Sequence, residues 1–201
     1  GKEREALLNG LSRAKAGFPP LMRVREELRA IKKITEGQVL LDQEFTTENL
    51  KTEFMNQNYD ILHLSTHAIF GGSPEETFLL TYNGRLTMDG LGRIVGLKRY
   101  QEDQLELLTL SACETALGDE RSAFGLAGAA LKAGARSALA TLWSVDDKAA
   151  FLTVTEFYRQ LTKSDISKAK ALQNAQKRLI LESGYEHPTF WAPFLLIGNW
   201  L

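Results

Sequence analysis

Short apolar runs alternate along this chain with stretches in which apolar residues recur at every third or fourth position. The first pattern predicts buried strands and the second predicts amphipathic helices. Glu5–Leu11 reads as a first strand, and Gly17-Phe18-Pro19-Pro20 breaks it from a helix with Val24, Leu28 and Ile31 on one face. Gly37 is expected to end that helix, before a second strand over Gln38–Leu41. Thr47–Met55 follows as a short helix, since Leu50 and Phe54 stand at i, i+4. Asp60–Ser65 and Leu105–Ser111 are the third and fourth strands. Between them, Phe78–Thr81 and Arg85–Thr87 flank Tyr82-Asn83-Gly84. An Asn-Gly pair there predicts a hairpin with a tight turn at positive φ. Ser122–Ala133 is a helix rich in Ala and Gly, able to approach a sheet closely, with Gly134 as its C′ residue. Arg136–Trp143 is a fifth strand. Asp146–Leu161 is a helix with Ala150, Val154, Phe157 and Leu161 on one face and two acids in its first turn, where the helix dipole favours them. Asp165–Leu181 is a further helix, capped by Ser164, and Phe194–Ile197 is a last strand. This alternation predicts an α/β fold around a mainly parallel sheet.

Composition narrows the function more than the fold. The chain has 201 residues, 44% of them hydrophobic and 24% charged, which suits a single domain spanning residues 1–201. Its net charge is −1 and it has no long basic run, so no nucleic-acid surface is indicated. No apolar stretch approaches the roughly 18–20 residues of a membrane helix, and no signal peptide opens the chain. A single cysteine forms no internal disulfide, so a reducing, cytoplasmic setting is expected. The abrupt start at Gly1-Lys2 reads as the edge of a C-terminal piece of a longer protein.

That cysteine is the main chemical signal. Cys113 directly follows the fourth strand, and His67 directly follows the third. Taken alone, Cys113 is a small buried hydrophobe and His67 a hydrogen-bonded structural residue. Taken together they form a candidate dyad, because an imidazole can stabilise a thiolate and make it a strong nucleophile. If the two strands are parallel neighbours, both residues leave at the sheet edge where open α/β folds hold ligands. His63 lies inside the third strand and reads as a buried structural residue, and His187 positions Pro188. Asp146 and Asp147 follow the fifth strand, with helix capping and substrate binding as their two readings. Trp143 is core or pocket wall, and Glu114 and Thr115 orient the loop after the cysteine. The glycines over 125–134 lack the Lys-Ser/Thr pair of a phosphate loop. There is no Gly-x-Ser-x-Gly elbow, and three scattered histidines with one cysteine make no metal cluster. No metal and no cofactor are expected.

Four blocks of sequence carry a resemblance. They are Asp60-Ile61-Leu62-His63-Leu64-Ser65-Thr66-His67, then Leu108-Thr109-Leu110-Ser111-Ala112-Cys113-Glu114-Thr115-Ala116-Leu117-Gly118. The third runs from Gly134-Ala135-Arg136 through Ala140-Thr141-Leu142-Trp143-Ser144-Val145-Asp146-Asp147, and the last is His187-Pro188 with Trp191-Ala192-Pro193-Phe194. In this order they resemble the CHAT domain, the caspase-like domain often found after tetratricopeptide repeats in bacterial proteins. The distance from His67 to Cys113 is also close to the roughly 50 residues between histidine and cysteine in caspases.

The resemblance implies a three-layer α/β/α caspase-like sandwich with a small β-hairpin insertion, and membership of the caspase/separase/gingipain clan of cysteine endopeptidases. It implies Cys113 as nucleophile, His67 as acid–base partner, and the backbone N–H groups of Ala68 and Cys113 as the oxyanion hole. It also implies a protein substrate, an upstream repeat or sensor region or regulatory protein as partner, and low activity until that partner acts. Related clan members use acidic residues for basic substrates, which makes Asp146, with Trp143 packed beside it, a candidate substrate-binding pair. One departure stands out: many members have Thr-His-Gly where this chain has Thr66-His67-Ala68. Alanine still supplies an N–H, but a position that demanded positive φ would distort the hole. The alternative reading is a catalytically inactive caspase-like scaffold or interaction domain.

Overall fold

The computed structural model describes residues 4–69, 71, 73, 75–98, 104–111, 121–182 and 184–201, without the side chains of 121–126. Five strands run parallel: β1 (Glu5–Gly10), β2 (Glu36–Leu41), β3 (Ile61–Ser65), β7 (Leu107–Ser111) and β8 (Ser137–Thr141). A sixth, β9 (Phe194–Gly198), pairs antiparallel to β8, and the sheet order is β2-β1-β3-β7-β8-β9. The central strands are buried throughout and are apolar at most positions, as a sheet covered on both faces requires.

One face carries α1 (Val24–Lys32), α5 (Asp147–Leu161) and α6 (Lys168–Ile180), whose Leu28, Ile31, Phe157 and Leu172 pack on Leu8, Ile61, Leu107 and Leu139. The other carries α2 (Thr47–Asn56), α3 (Met88–Gly96) and α4 (Arg121–Ala133), whose Leu50, Phe54, Leu91 and Ala130 pack with Leu62, Leu64, Leu108 and Leu110. The result is the expected three-layer α/β/α sandwich. A second sheet is formed by β4 (Ala68–Ile69), β5 (Phe78–Leu80) and β6 (Arg85–Thr87), so the hairpin insertion gains a third strand from the residues just after His67.

Four details differ from the sequence reading. Gly37 does not end α1 but sits inside β2 at φ 112°, where a Cβ would lie 2.0 Å from the Ala6 carbonyl oxygen. Helix α6 begins at Lys168 rather than Asp165, because the Ser167 hydroxyl, not Ser164, accepts from the Lys170 N–H. Neither Asn83 nor Gly84 has positive φ. The register Leu80↔Arg85 leaves a four-residue connection closed by Thr81 N–H to the Gly84 carbonyl, and loops of that length do not demand a primed turn. The sequence pattern does not predict helix α3, three of whose nine residues are glycine. Tertiary packing overrides that propensity. Thr87 caps the helix, and Leu91, Ile94 and Val95 are buried.

Candidate active site

The site is assembled at the C-terminal edge of the sheet. Strands β3 and β7 are adjacent and parallel, and their last residues, Ser65 and Ser111, are register partners. Beyond this pair the Thr66 N–H donates to the Ser111 carbonyl at 3.4 Å. The chain therefore leaves β3 two residues before His67, beside the point where it leaves β7 two residues before Cys113. Cys113 itself, with Glu114 and Thr115, lies outside the described residues, and so does its distance to His67.

His67 is buried, and its ring packs against Phe18 with centroids 5.0 Å apart at 36°. Its Nε2 lies 2.8 Å from the Pro19 carbonyl oxygen. A carbonyl only accepts, so Nε2 carries the hydrogen, and in the neutral ring the lone pair belongs to Nδ1. Pro19 is presented by a small hairpin. Lys15 and Phe18 exchange both backbone hydrogen bonds across Ala16 (φ 51°) and Gly17 (φ 86°), the positive-φ pair of a type I′ turn. The base of this loop is tied down. The Leu21 N–H donates to the Ser12 carbonyl, and the Ser12 N–H and hydroxyl donate to the buried Asp42 carboxylate, which also pairs with Arg25.

Ala68 follows at the edge of the second sheet, outside the positive-φ region, so its backbone asks for no glycine. The Leu80 N–H donates to the His67 carbonyl at 2.9 Å, and Ala68 is the bridge partner of Leu79. Ala68 and Leu79 therefore form a narrow, non-hydrogen-bonded pair, and the Ala68 N–H faces away from β5. The Thr66 hydroxyl donates to the Leu80 carbonyl at 2.7 Å and fixes the same turn.

The other candidates separate into roles. Asp146 is exposed and caps α5, its Oδ1 accepting from the N–H groups of Lys148 and Ala149 at 3.1 and 2.9 Å. Trp143 donates from Nε1 to the Thr189 carbonyl at 3.4 Å. Both lie beyond the end of β8, at the edge that carries His67. His187 caps the one-turn helix α7 (Pro188–Trp191) by accepting from the Thr189 N–H, which fixes Pro188 at the first helical position. His63 belongs to the interior, 2.9 Å from Glu27. Among the described residues no group of three His, Cys, Asp or Glu side chains is placed to hold a metal ion. Two further contributors are the Pro19 carbonyl, which has no side-chain signature, and Glu27. The second was legible, since an acid at position 27 falls on the same helical face as Val24, Leu28 and Ile31.

A model of the CHAT domain family matches residues 2–199. The chain belongs to the CHAT family. Solved structures with the same fold include a complex of the pro- and mature domains of Porphyromonas gingivalis RgpB. It is 10% identical, has a TM-score of 0.63, and the match covers 98% of this chain and 47% of that one. Another is the Arg-specific cysteine proteinase gingipain R, 11% identical with a TM-score of 0.66, covering 98% of this chain and 46% of that one. At such identities the likeness is one of fold, and this CHAT domain spans about half the length of the chains it matches. No curated protein sequence matches it. Among the described residues no helix is long and apolar enough to cross a membrane.

Proposed function

We propose that this CHAT domain is a cysteine endopeptidase that cleaves a protein substrate through Cys113 and His67, held at low activity until an upstream region or partner protein orders the site. The observation that carries the reading is the bond from His67 Nε2–H to the Pro19 carbonyl. It fixes the ring's tautomer and direction, as a general base must have its orientation fixed by a further group. The exits of β3 and β7 at Ser65 and Ser111 support it, since they lead the chain to His67 and Cys113 from neighbouring positions.

The reaction is acyl transfer. As Cys113 Sγ attacks the scissile carbonyl its proton passes to His67, which gives it to the leaving amine; His67 then takes a proton from the attacking water, and the thioester C–S bond breaks to release the acid and return the thiol. The N–H groups of Ala68 and Cys113 hold the oxyanion, each such donor being worth about 3–4 kcal/mol. The direction of the Ala68 N–H, away from β5, supports this role. The place of Pro19 in the fold supports the latency proposed here. Pro19 lies on a surface loop, and a displacement of about 1 Å in such a constellation can cost about a hundredfold in rate.

Asp146 and Trp143 are the candidate specificity residues. The cap on α5 uses Oδ1 of Asp146, and a carboxylate at that edge suits a Lys or Arg side chain before the scissile bond, with Trp143 against its aliphatic stem. Gingipain R, of the same fold, is Arg-specific. The test is labelling with a peptidyl electrophile carrying a basic residue, followed by mapping of the adduct. Wild type should be modified at Cys113, and Cys113→Ala and His67→Ala should each lose labelling and peptide cleavage while keeping the fold. Cleavage retained by Cys113→Ala overturns the mechanism. A basic preference that is unchanged in Asp146→Asn returns Asp146 to capping alone.

A further inference from the structure

Between the sheet and helices α1 and α5 lies a chain of buried polar side chains. His63 Nε2 is 2.9 Å from Glu27 Oε1, and His63 Nδ1 is 3.1 Å from the Tyr158 hydroxyl. Tyr158 donates to the Thr109 hydroxyl at 3.0 Å, and the Ser111 hydroxyl donates to Glu27 Oε2 at 3.1 Å. Every member is at most 3% exposed. Burial also pushes the Tyr158 hydroxyl up from its ordinary pKa, so it keeps its proton. The two ring nitrogens of His63 thus face the Tyr158 hydroxyl and the Glu27 carboxylate. Each Glu27 oxygen therefore has a hydrogen-bond partner, Oε1 on His63 and Oε2 on Ser111.

Burying a carboxylate on an apolar helix face is expensive, and apolar residues of similar volume are often at least as stable there. What Glu27 does supply is a three-way connection. It stands on α1, which begins five residues after Pro19. Its Oε1 holds His63, four residues before His67 on β3, and its Oε2 holds Ser111, two residues before Cys113 at the end of β7. Ser111 in turn accepts from the Thr66 N–H through its carbonyl. One carboxylate thus ties together the three segments that carry the carbonyl orienting His67, the imidazole, and the proposed nucleophile.

We infer that Glu27 is a positioning residue for the Cys113–His67 pair, acting through its bond to Ser111 and its bond to His63. The inference rests on the dyad reading above. Because the chain has a single cysteine, alkylation by iodoacetamide reads Cys113 alone. The experiment follows the alkylation rate of the 201-residue chain against pH for wild type, Ser111→Ala, Glu27→Gln and the double variant, with a denaturant midpoint for each. In wild type the thiol should react as a thiolate well below the ordinary cysteine range near pH 8.5. Ser111→Ala, which removes one hydroxyl, should remain folded. It should shift the profile toward the ordinary range and lower the rate at pH 7 by about tenfold or more. Glu27→Gln should act in the same direction, and the double variant should lose little beyond the larger single effect, since both remove one contact. A perturbed wild-type profile left unmoved in folded Ser111→Ala overturns the inference and makes the network structural only, with the dyad intact. An ordinary thiol profile in wild type overturns the positioning role, since the network then prepares no reactive thiol in this chain, and the electrophile labelling described above decides the dyad separately. If Glu27→Gln does not fold, Ser111→Ala alone decides.

Discussion

The two faces of strands β3 and β7 are made by alternate residues of the same peptides, yet they are built on different principles. Leu62, Leu64, Leu108 and Leu110 go to the face covered by α2, α3 and α4, where they join a large hydrophobic cluster with Leu50, Phe54, Leu91 and Ala130. His63, Ser65, Thr109 and Ser111, all buried, alternate with them and go to the face covered by α1 and α5. The leucine face buries apolar area, a contribution that is non-directional and tolerates substitutions of equal volume. The polar face is directional, because His63, Thr109 and Ser111 are hydrogen-bonded to Glu27 and Tyr158 and a displaced side chain leaves a buried group unmatched. The direction-sensitive contacts lie on the face that reaches α1, the helix following Pro19.

The strongest way to break this contrast is to remove one half of the buried pair. Glu27→Leu should destabilise the domain by about 3–5 kcal/mol, measured by urea unfolding, because His63 loses its carboxylate partner in the interior. Adding His63→Leu should recover a substantial part of that loss. A double variant no more stable than Glu27→Leu would mean that the polar face is not governed by pairing.

On the leucine face the cost should come from volume alone. Leu108, fully buried between β3 and β8, should cost about 2–5 kcal/mol as Leu108→Ala, but below about 1.5 kcal/mol as Leu108→Met. Equal losses for the two substitutions would show that this face is as geometrically selective as the other.

Two tyrosines sharpen the comparison with one chemical change. Tyr158→Phe removes a hydroxyl bonded to both His63 and Thr109, and should cost about 1–3 kcal/mol. Tyr59 belongs to the leucine-face core, and its hydroxyl is buried without a hydrogen-bond partner among the described residues. Tyr59→Phe should therefore be neutral or stabilising by up to about 1 kcal/mol at neutral pH. The smallest effect is its pH dependence. Burial, with Glu53 and Glu5 nearby, raises the Tyr59 hydroxyl from 10.0 to about 12. A raised folded-state value means that this stability is complete below about pH 10 and is lost as pH climbs toward 12. Wild type should thus lose stability over that window, and Tyr59→Phe should lose less.

Much of the fold was legible because its signals are local. The face formed by Leu50 and Phe54 gave α2, the face formed by Ala150, Val154, Phe157 and Leu161 gave α5, and Gly134, at φ 121°, ends α4 where a C′ glycine was expected. The apolar runs ending at Ser65 and Ser111 read as buried parallel strands and are such strands. Where local signals conflicted with distant packing, the reading failed. Gly37 looks like a helix stop, but its missing side chain serves the close passage of β1. Three glycines argue against α3, but its cap at Thr87 and the burial of Leu91, Ile94 and Val95 hold it.

By itself the sequence determined most of the buried strands and helices, the glycine that ends α4, and that His67 and Cys113 each follow a buried strand. Those properties depend on neighbours a few residues away, through periodicity, backbone freedom and capping. Only the tertiary structure decided that Ser65 and Ser111 are register partners, that the Pro19 carbonyl takes the His67 Nε2 hydrogen, and that Glu27 reaches both β3 and β7. Each of these joins groups far apart in the chain. Two of them depend on a backbone carbonyl or a register, which no side chain announces. A hydrogen bond between distant segments exists only once packing has fixed both ends, and that packing is a property of the whole domain.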